Sequence, residues 1–366
     1  MPFCKQACHY CDFHFSTSLK KKDDLVKALA KELILRKGEI HTPIETIYFG
    51  GGTPSLLSAI EIDFLLQTID HNYEITSNPE ITLEANPDDL TKQKIIELAN
   101  SKINRLSIGV QSFFNDDLKL LNRAHNATEA INSLKIATKY FDNITIDLIY
   151  GIPNLDEEKW QKNLQITFDL DVNHISSYAL TVEPKTALFQ LIKEKKYPKL
   201  DEELALAHFN ILVEETQKEN YLHYEVSNFA KEGYISKHNS AYWNGINYIG
   251  IGPSAHSFNG KMRSWNINNN TKYIKALQEN NLPSQQETLS KTELYNETIM
   301  IGLRTSWGIS LNDIELKFGK KIKETLLQNI KKHLKNKTLQ LINNQLSTTK
   351  KGKFLIDGIA SDLFFI

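Results

Sequence analysis

Five short apolar runs, each followed by an amphipathic stretch, limit what the first half of this chain can fold into. The runs are Thr46 to Phe49, Ile81 to Ala85, Arg105 to Val110, Ile144 to Tyr150 and His174 to Leu180. Helical spacing of apolar residues falls at Asp23 to Lys37, Ser58 to Asp70, Thr91 to Asn100, Thr128 to Tyr140 and Asp156 to Leu170. Such β/α alternation predicts parallel strands covered by helices, either as a doubly wound sheet or as a barrel. Both architectures collect ligands at the C-terminal ends of the strands.

The residues at those ends are polar or glycine. The first run leads into Gly50-Gly51-Gly52-Thr53-Pro54, where glycines permit backbone conformations closed to other residues and let peptide N–H groups approach a ligand. The next carries Glu84 before Ala85-Asn86-Pro87, the third ends near Ser107 and Gln111, and Asp147 sits within the fourth. One such residue is as readily structural as functional. Four in successive units point to a site.

All three cysteines, Cys4, Cys8 and Cys11, lie in one C-x3-C-x2-C loop. Three thiolates at that spacing can hold three irons of a [4Fe-4S] cluster and leave the fourth iron open to a small molecule. A structural zinc loop completed by His9 or His14 is the alternative reading of the spacing. So few cysteines and no hydrophobic targeting segment argue against a secreted, disulfide-built protein and for a reducing cytoplasm. No apolar run approaches the roughly 20 residues that span a bilayer. Charge is balanced, 43 Lys and Arg against 44 Asp and Glu, so no global field points to nucleic acid. The 366-residue length suits one large domain and a smaller appendage.

Taken together, the cysteine loop, Gly-Gly-Gly-Thr-Pro, Glu-Ala-Asn-Pro, Gly-Val-Gln-Ser and Asp-Leu-Ile-Tyr-Gly-Ile-Pro resemble the radical S-adenosylmethionine superfamily, over essentially the whole chain. Within it the chain resembles the HemN and HemW branch. The resemblance implies an α/β fold, a partial (β/α)6 radical SAM barrel with a C-terminal winged-helix-like α+β appendage. It implies a [4Fe-4S] cluster on Cys4, Cys8 and Cys11, whose open iron chelates S-adenosyl-L-methionine. Gly51, Gly52 and Thr53 match the segment that contacts the methionine part of that cofactor. Glu84, Gln111, Arg123 and Asp147 match its remaining binding positions, and Ala179 its approach to the adenine. No catalytic residue is assigned.

Two features bear on the subfamily. The decarboxylating oxidases carry a further cysteine where this chain has Phe13, which cannot supply a sulfur. The run His238-Asn239-Ser240-Ala241-Tyr242-Trp243 matches an H-N-x-x-Y-W segment that marks the HemW group, where it is associated with heme. A neutral imidazole at His238 can ligate heme iron, and Tyr242 and Trp243 offer flat apolar surface to a porphyrin. On the residues alone the favoured reading is an ordinary hydrogen-bonded core histidine with Tyr242 and Trp243 as packing, and His256 is the nearest competitor for the ligand role. Relatives also have a strand, with a cofactor-contacting tyrosine, before the cysteine loop. The barrel is therefore expected to lack its first strand and to expose an edge.

Past Leu282 the pattern changes to helices at Lys291 to Leu303, Leu311 to Phe318 and Ile322 to Lys335, then a hairpin-like Leu339 to Leu346. Between Lys317 and Lys337 stand eight lysines and one glutamate, read as a solvated or protein-docking face. The expected domains are a radical SAM core over 1–222, an H-N-x-x-Y-W-containing connection over 223–282 and a HemN-type C-terminal domain over 283–366. The expected function is a cytoplasmic heme chaperone. Its partners are heme, a heme-acceptor protein such as a respiratory hemoprotein, and an electron donor for the cluster. The alternatives are an oxygen-independent coproporphyrinogen III oxidase-type enzyme and a zinc-stabilised nucleic-acid-binding module.

Overall fold

The computed structural model describes residues 1–365. After α1 (Lys22–Leu35) come β1 (Ile44–Phe49), α2 (Ala59–Asn72), β2 (Ile75–Ala85) and α3 (Lys92–Ala99). Next are β3 (Arg105–Gln111), α4 (Asn115–Leu120), α5 (Ala127–Ala137), β4 (Asn143–Tyr150), α6 (Glu157–Asp169) and β5 (His174–Ala179). These five strands are parallel and lie side by side in chain order. A doubly wound sheet would reverse its order at a switch point. The unreversed order is that of a curled half-barrel. Its central strand β3 is buried along its whole length, as a parallel strand covered on both faces must be. Capping boxes at Ser58 with Glu61 and at Asn126 with Glu129 start α2 and α5.

Beyond β5, α7 (Ala187–Lys193) and α8 (Glu202–Lys218) lead to β6 (Leu222–Glu225) and β7 (Asn228–Ala230). Val226 and Ser227 alone separate these two strands, and so short a connection permits only an antiparallel hairpin. It extends the sheet in the order β5-β7-β6. At the opposite side β1 pairs with β2 alone among the described residues.

The segment after β7 forms α9 (Lys237–Trp243), β8 (His256–Phe258), β9 (Met262–Asn266), α10 (Asn270–Gln278) and β10 (Ser284–Thr288). The three strands make a small antiparallel sheet that sequence pattern did not disclose. It is tied back to α1 by the buried Glu32. That carboxylate accepts hydrogen bonds from Gly252 N (2.8 Å), Asn266 Nδ2 (2.7 Å), Tyr273 Oη and Arg36 Nη1 (3.1 Å). A buried carboxylate with four donors is fully satisfied, and loss of any one leaves charge unscreened.

The last part comprises α11 (Lys291–Leu303), β11 (Ile309–Ser310), α12 (Leu311–Phe318), α13 (Lys320–Asn329), α14 (Lys331–Lys335), β12 (Leu339–Ile342), β13 (Gln345–Thr348) and α15 (Ile356–Asp362). The single helix expected over Ile322 to Lys335 is two, divided at the fully buried Ile330. These elements enclose a second core around Tyr295, Ile299, Ile314 and Leu346, separate from the main one. The hairpin joins the two, through Val226 N to Arg304 O and Ser306 N to Tyr224 O, both 2.9 Å. Among the described residues no helix is long and apolar enough to cross a membrane.

Candidate functional site

The cysteine loop is held at the C-terminal ends of the parallel strands. Phe3 is buried and bridges to Ser16, Cys4 N donates to Ser16 O (3.1 Å), and His9 N donates to Leu121 O (3.1 Å). Gly52 N donates to Met1 O (2.8 Å), and a Cβ at Gly52 would lie 2.6 Å from Phe3 O. The glycine run is therefore what lets the loop lie against the end of β1. The two imidazoles that could complete a zinc site each hold one hydrogen bond through a single ring nitrogen, His9 Nδ1 with Leu120 O (2.9 Å) and His14 Nε2 with Asn270 Oδ1 (2.8 Å). The thiols of Cys4 and Cys11 are pushed up by burial, and further by the neighbouring Cys8. Among the described residues no three His, Cys, Asp or Glu side chains converge closely enough to hold a metal ion. In donor chemistry the loop fits an iron–sulfur group: three half-buried thiols share one turn, and a guanidinium lies beside them.

That guanidinium is Arg123. Its Nη2 donates to Asn86 Oδ1 and Gly109 O, both 2.7 Å, while Nη1 reaches Cys8 Sγ and Tyr10 Oη, both 3.4 Å. Burial works to lower its pKa, but Tyr10 and Cys8 outweigh it and hold the cation above its ordinary value. Arg123 thus links the glycine bend of β3 to the cysteine loop.

Glu84 and Asp147 face the same interior. Glu84 accepts from Tyr48 Oη (2.7 Å) and Gly51 N (3.1 Å), and burial raises its pKa. Asp147 is pushed up to about 7, by burial first and then by the charge of Glu84. Gln111 ends β3 with a positive φ of 70°, and Thr53 is buried with its Oγ1 accepting from Asn86 Nδ2 (3.3 Å). Gly51, Gly52, Thr53, Glu84, Gln111, Arg123 and Asp147 are thus gathered around one end of the half-barrel. Ala179 closes β5 on the same side.

Lower in the interior lie groups that the motifs did not mark. Alternation places Thr46 with Tyr48, Glu80 with Thr82 and Glu84, and Arg105 with Ser107 on one face. Arg105 is 1% exposed, its only side-chain acceptor among the described residues is Thr145, and its Nε has no partner. The buried Glu80 accepts from Lys237 N (3.0 Å), His238 N (2.9 Å) and Ser236 Oγ (3.2 Å), so a carboxylate of β2 caps α9.

The cap fixes His238. Its Nδ1 bonds Thr46 Oγ1 (2.8 Å), its Nε2 meets Tyr242 Oη (3.2 Å), and its ring stacks on Tyr48 with centroids 4.6 Å apart at 15°. Burial, with Arg105 adding to it, lowers its pKa to about 4, so the imidazole is neutral at neutral pH. It lines a cavity of about 1180 Å³ along β1, together with Tyr48, Tyr242, Tyr248 and His256. Trp243, expected beside His238 at a porphyrin, does not line this cavity. His238 and Tyr242 are four residues apart and share a helix face, whereas the fifth residue is carried off it. His256 is exposed and stacks on Trp265 at 6.1 Å.

A curled parallel half-barrel with a three-cysteine loop at its strand ends defines the radical SAM class. Residues 1–165 match the radical SAM superfamily, and residues 289–355 match the HemN C-terminal domain. Proteins named heme chaperone HemW are similar along the chain. The one from Bacillus subtilis is 33% identical, with 97% of this chain and 95% of that one covered. The one from Lactococcus lactis is also 33% identical, covering 98% and 97%. The chain belongs to the radical SAM superfamily and, within it, to the HemW family. The solved coproporphyrinogen III oxidase HemN from Escherichia coli superposes with a TM-score of 0.86 over 100% of this chain and 88% of that one; at 21% identity it shows the fold.

Proposed function

We propose that the chain is a heme chaperone: it binds heme at His238 and passes it to an acceptor protein. The observation that carries this reading is the setting of His238 in a chain of the HemW family. Thr46 can accept the Nδ1 proton, which leaves the Nε2 lone pair as the ligating atom, opposite Tyr242 at the cavity wall. The cavity exceeds the roughly 300–1,000 Å³ usual for small-molecule sites, so a planar ligand of porphyrin size is compatible with it. Tyr242 must yield its bond to Nε2 when iron arrives. At 3.2 Å and with a half-exposed ring, that bond is weak and free to swing.

Cys4, Cys8 and Cys11 are proposed to hold a [4Fe-4S] cluster, which with S-adenosyl-L-methionine supplies one-electron chemistry. Glu84 and Asp147 offer acceptors to hydroxyl or ammonium groups of that cofactor, and the Gly51 and Gly52 backbone a close approach. Gln111, Thr53 and Arg123 complete the proposed pocket, with Arg123 orienting Asn86 and the loop. Phe13, 72% exposed, places an inert side chain where the oxidases have a sulfur, which supports transfer over decarboxylation.

Heme titration of reconstituted protein, read at the Soret band, tests the reading. His238→Ala is expected to shift the band and weaken retention with cluster absorption intact, and His256→Ala to change neither. Heme binding unaffected by both variants, or brisk anaerobic conversion of coproporphyrinogen, would refute it.

A further inference from the structure

Tyr48 occupies a position that neither the cofactor pocket nor the heme cavity explains by itself. Its hydroxyl donates to Glu84 Oε1 at 2.7 Å, and its ring lies flat on His238. Gly50 covers the other part of the ring so closely that a Cβ there would fall 2.7 Å from Tyr48 Cε1. One rigid aromatic side chain therefore touches both the carboxylate and the imidazole.

We propose that Tyr48 is a positioning residue coupling the Glu84 pocket to His238, so that a hydroxyl- or ammonium-bearing ligand on Glu84 changes the affinity of His238 for heme. This rests on the heme reading of His238. The physical basis is how each group is held. Glu84 has two partners, Tyr48 Oη and Gly51 N, and a donor on an incoming ligand competes with both for its oxygens. Release or rotation of the phenol moves the ring on which the imidazole lies. The backbone of His238 cannot follow, because Glu80 caps α9 at Lys237 and His238. The response falls on the imidazole plane and on its bonds to Thr46 and Tyr242, which are the contacts that aim Nε2. Coupling of this kind is reciprocal: whatever the first ligand does to heme affinity, heme does equally to that ligand.

The experiment is heme titration of the reconstituted protein with its cluster oxidised, so that no cleavage occurs, with and without saturating S-adenosyl-L-methionine. The wild-type heme Kd is expected to change by about fivefold or more, in the range typical of coupled sites. Tyr48→Phe keeps the ring and removes the hydroxyl. It is expected to bind both ligands with the two heme Kd values equal, a result that general loosening of the fold would not produce. Should that variant fail to fold, Tyr48→Leu, which removes hydroxyl and stack together, is read in the same way. A wild-type ratio of one, or a ratio that survives loss of the hydroxyl, overturns the proposal. His238→Ala separates the two layers. If it leaves heme binding unchanged, the heme reading of His238 fails; if it abolishes binding while the wild-type ratio is one, only the coupling fails.

Discussion

Replacing Asp147 by asparagine should remove a pH dependence of stability that the wild-type protein carries. Asp147 lies inside the half-barrel, where burial and the neighbouring Glu84 push its carboxyl from an ordinary value near 4 to about 7. The folded protein therefore holds a proton that the unfolded chain has released, and between those values stability falls as pH rises. Each tenfold change in ionisation corresponds to about 1.4 kcal/mol, so the full penalty above pH 7 is on the order of 4 kcal/mol. Between pH 5 and pH 8 the wild type should lose about 2–3 kcal/mol relative to Asp147→Asn. Urea unfolding of cluster-free protein at pH 5, 6, 7 and 8 measures the difference, provided the urea dependence stays constant between the two proteins. Parallel profiles would show that Asp147 ionises normally, and the account of two mutually repelling carboxylates in this interior would be wrong.

Three further outcomes follow from the geometry. Glu80→Ala leaves the N–H groups of Lys237 and His238 without their acceptor, and thermal or urea unfolding should show a loss of about 1–3 kcal/mol. Gly52→Ala drives a Cβ against Phe3 O and should lower cluster content after reconstitution, measured as iron and sulfide per chain; full occupancy would contradict the packing. Arg105→Met removes a buried cation whose only side-chain hydrogen-bond partner among the described residues is Thr145, so urea unfolding at pH 5, where the neighbouring Asp147 is protonated, should show unchanged or increased stability. A large loss there would mean that Arg105 has compensation beyond these contacts.

Where patterns were local, the sequence was readable. The five parallel strands stand where their apolar runs lie, because strand period and helix spacing are properties of neighbouring residues. Glu84 and Gln111 could be placed at strand ends for the same reason. Arg123 was reached only through resemblance: it lies between predicted elements with no pattern of its own, and its partners Asn86 and Cys8 are far off in sequence. Trp243 is adjacent to Tyr242 in sequence but not on its helix face, because the fifth residue after His238 is carried off the face that His238 and Tyr242 share. Tyr48 and Glu80 were missed altogether. Tyr48 reads as one more apolar strand residue, and Glu80 as the polar start of a strand; only tertiary structure brings them to His238. The sheet of β8, β9 and β10 has no long apolar run to announce it, since β10 is exposed throughout.

The tie from Glu32 has a bearing on how the chain reaches its native state. Its partners Gly252, Asn266 and Tyr273 lie 220 to 241 residues downstream. During synthesis α1 therefore emerges with a carboxylate that has only Arg36 near it in sequence, and its three distant donors arrive only once α10 has left the ribosome. Contacts of such span form late, because the loop between them must first be closed. The β strands can pair progressively as they appear, while the wall formed by Gly250, Ile251 and Pro253 locks against α1 after them. The cavity thus closes only after the half-barrel has formed, and errors in its assembly should be found in chains stalled or shortened before residue 273.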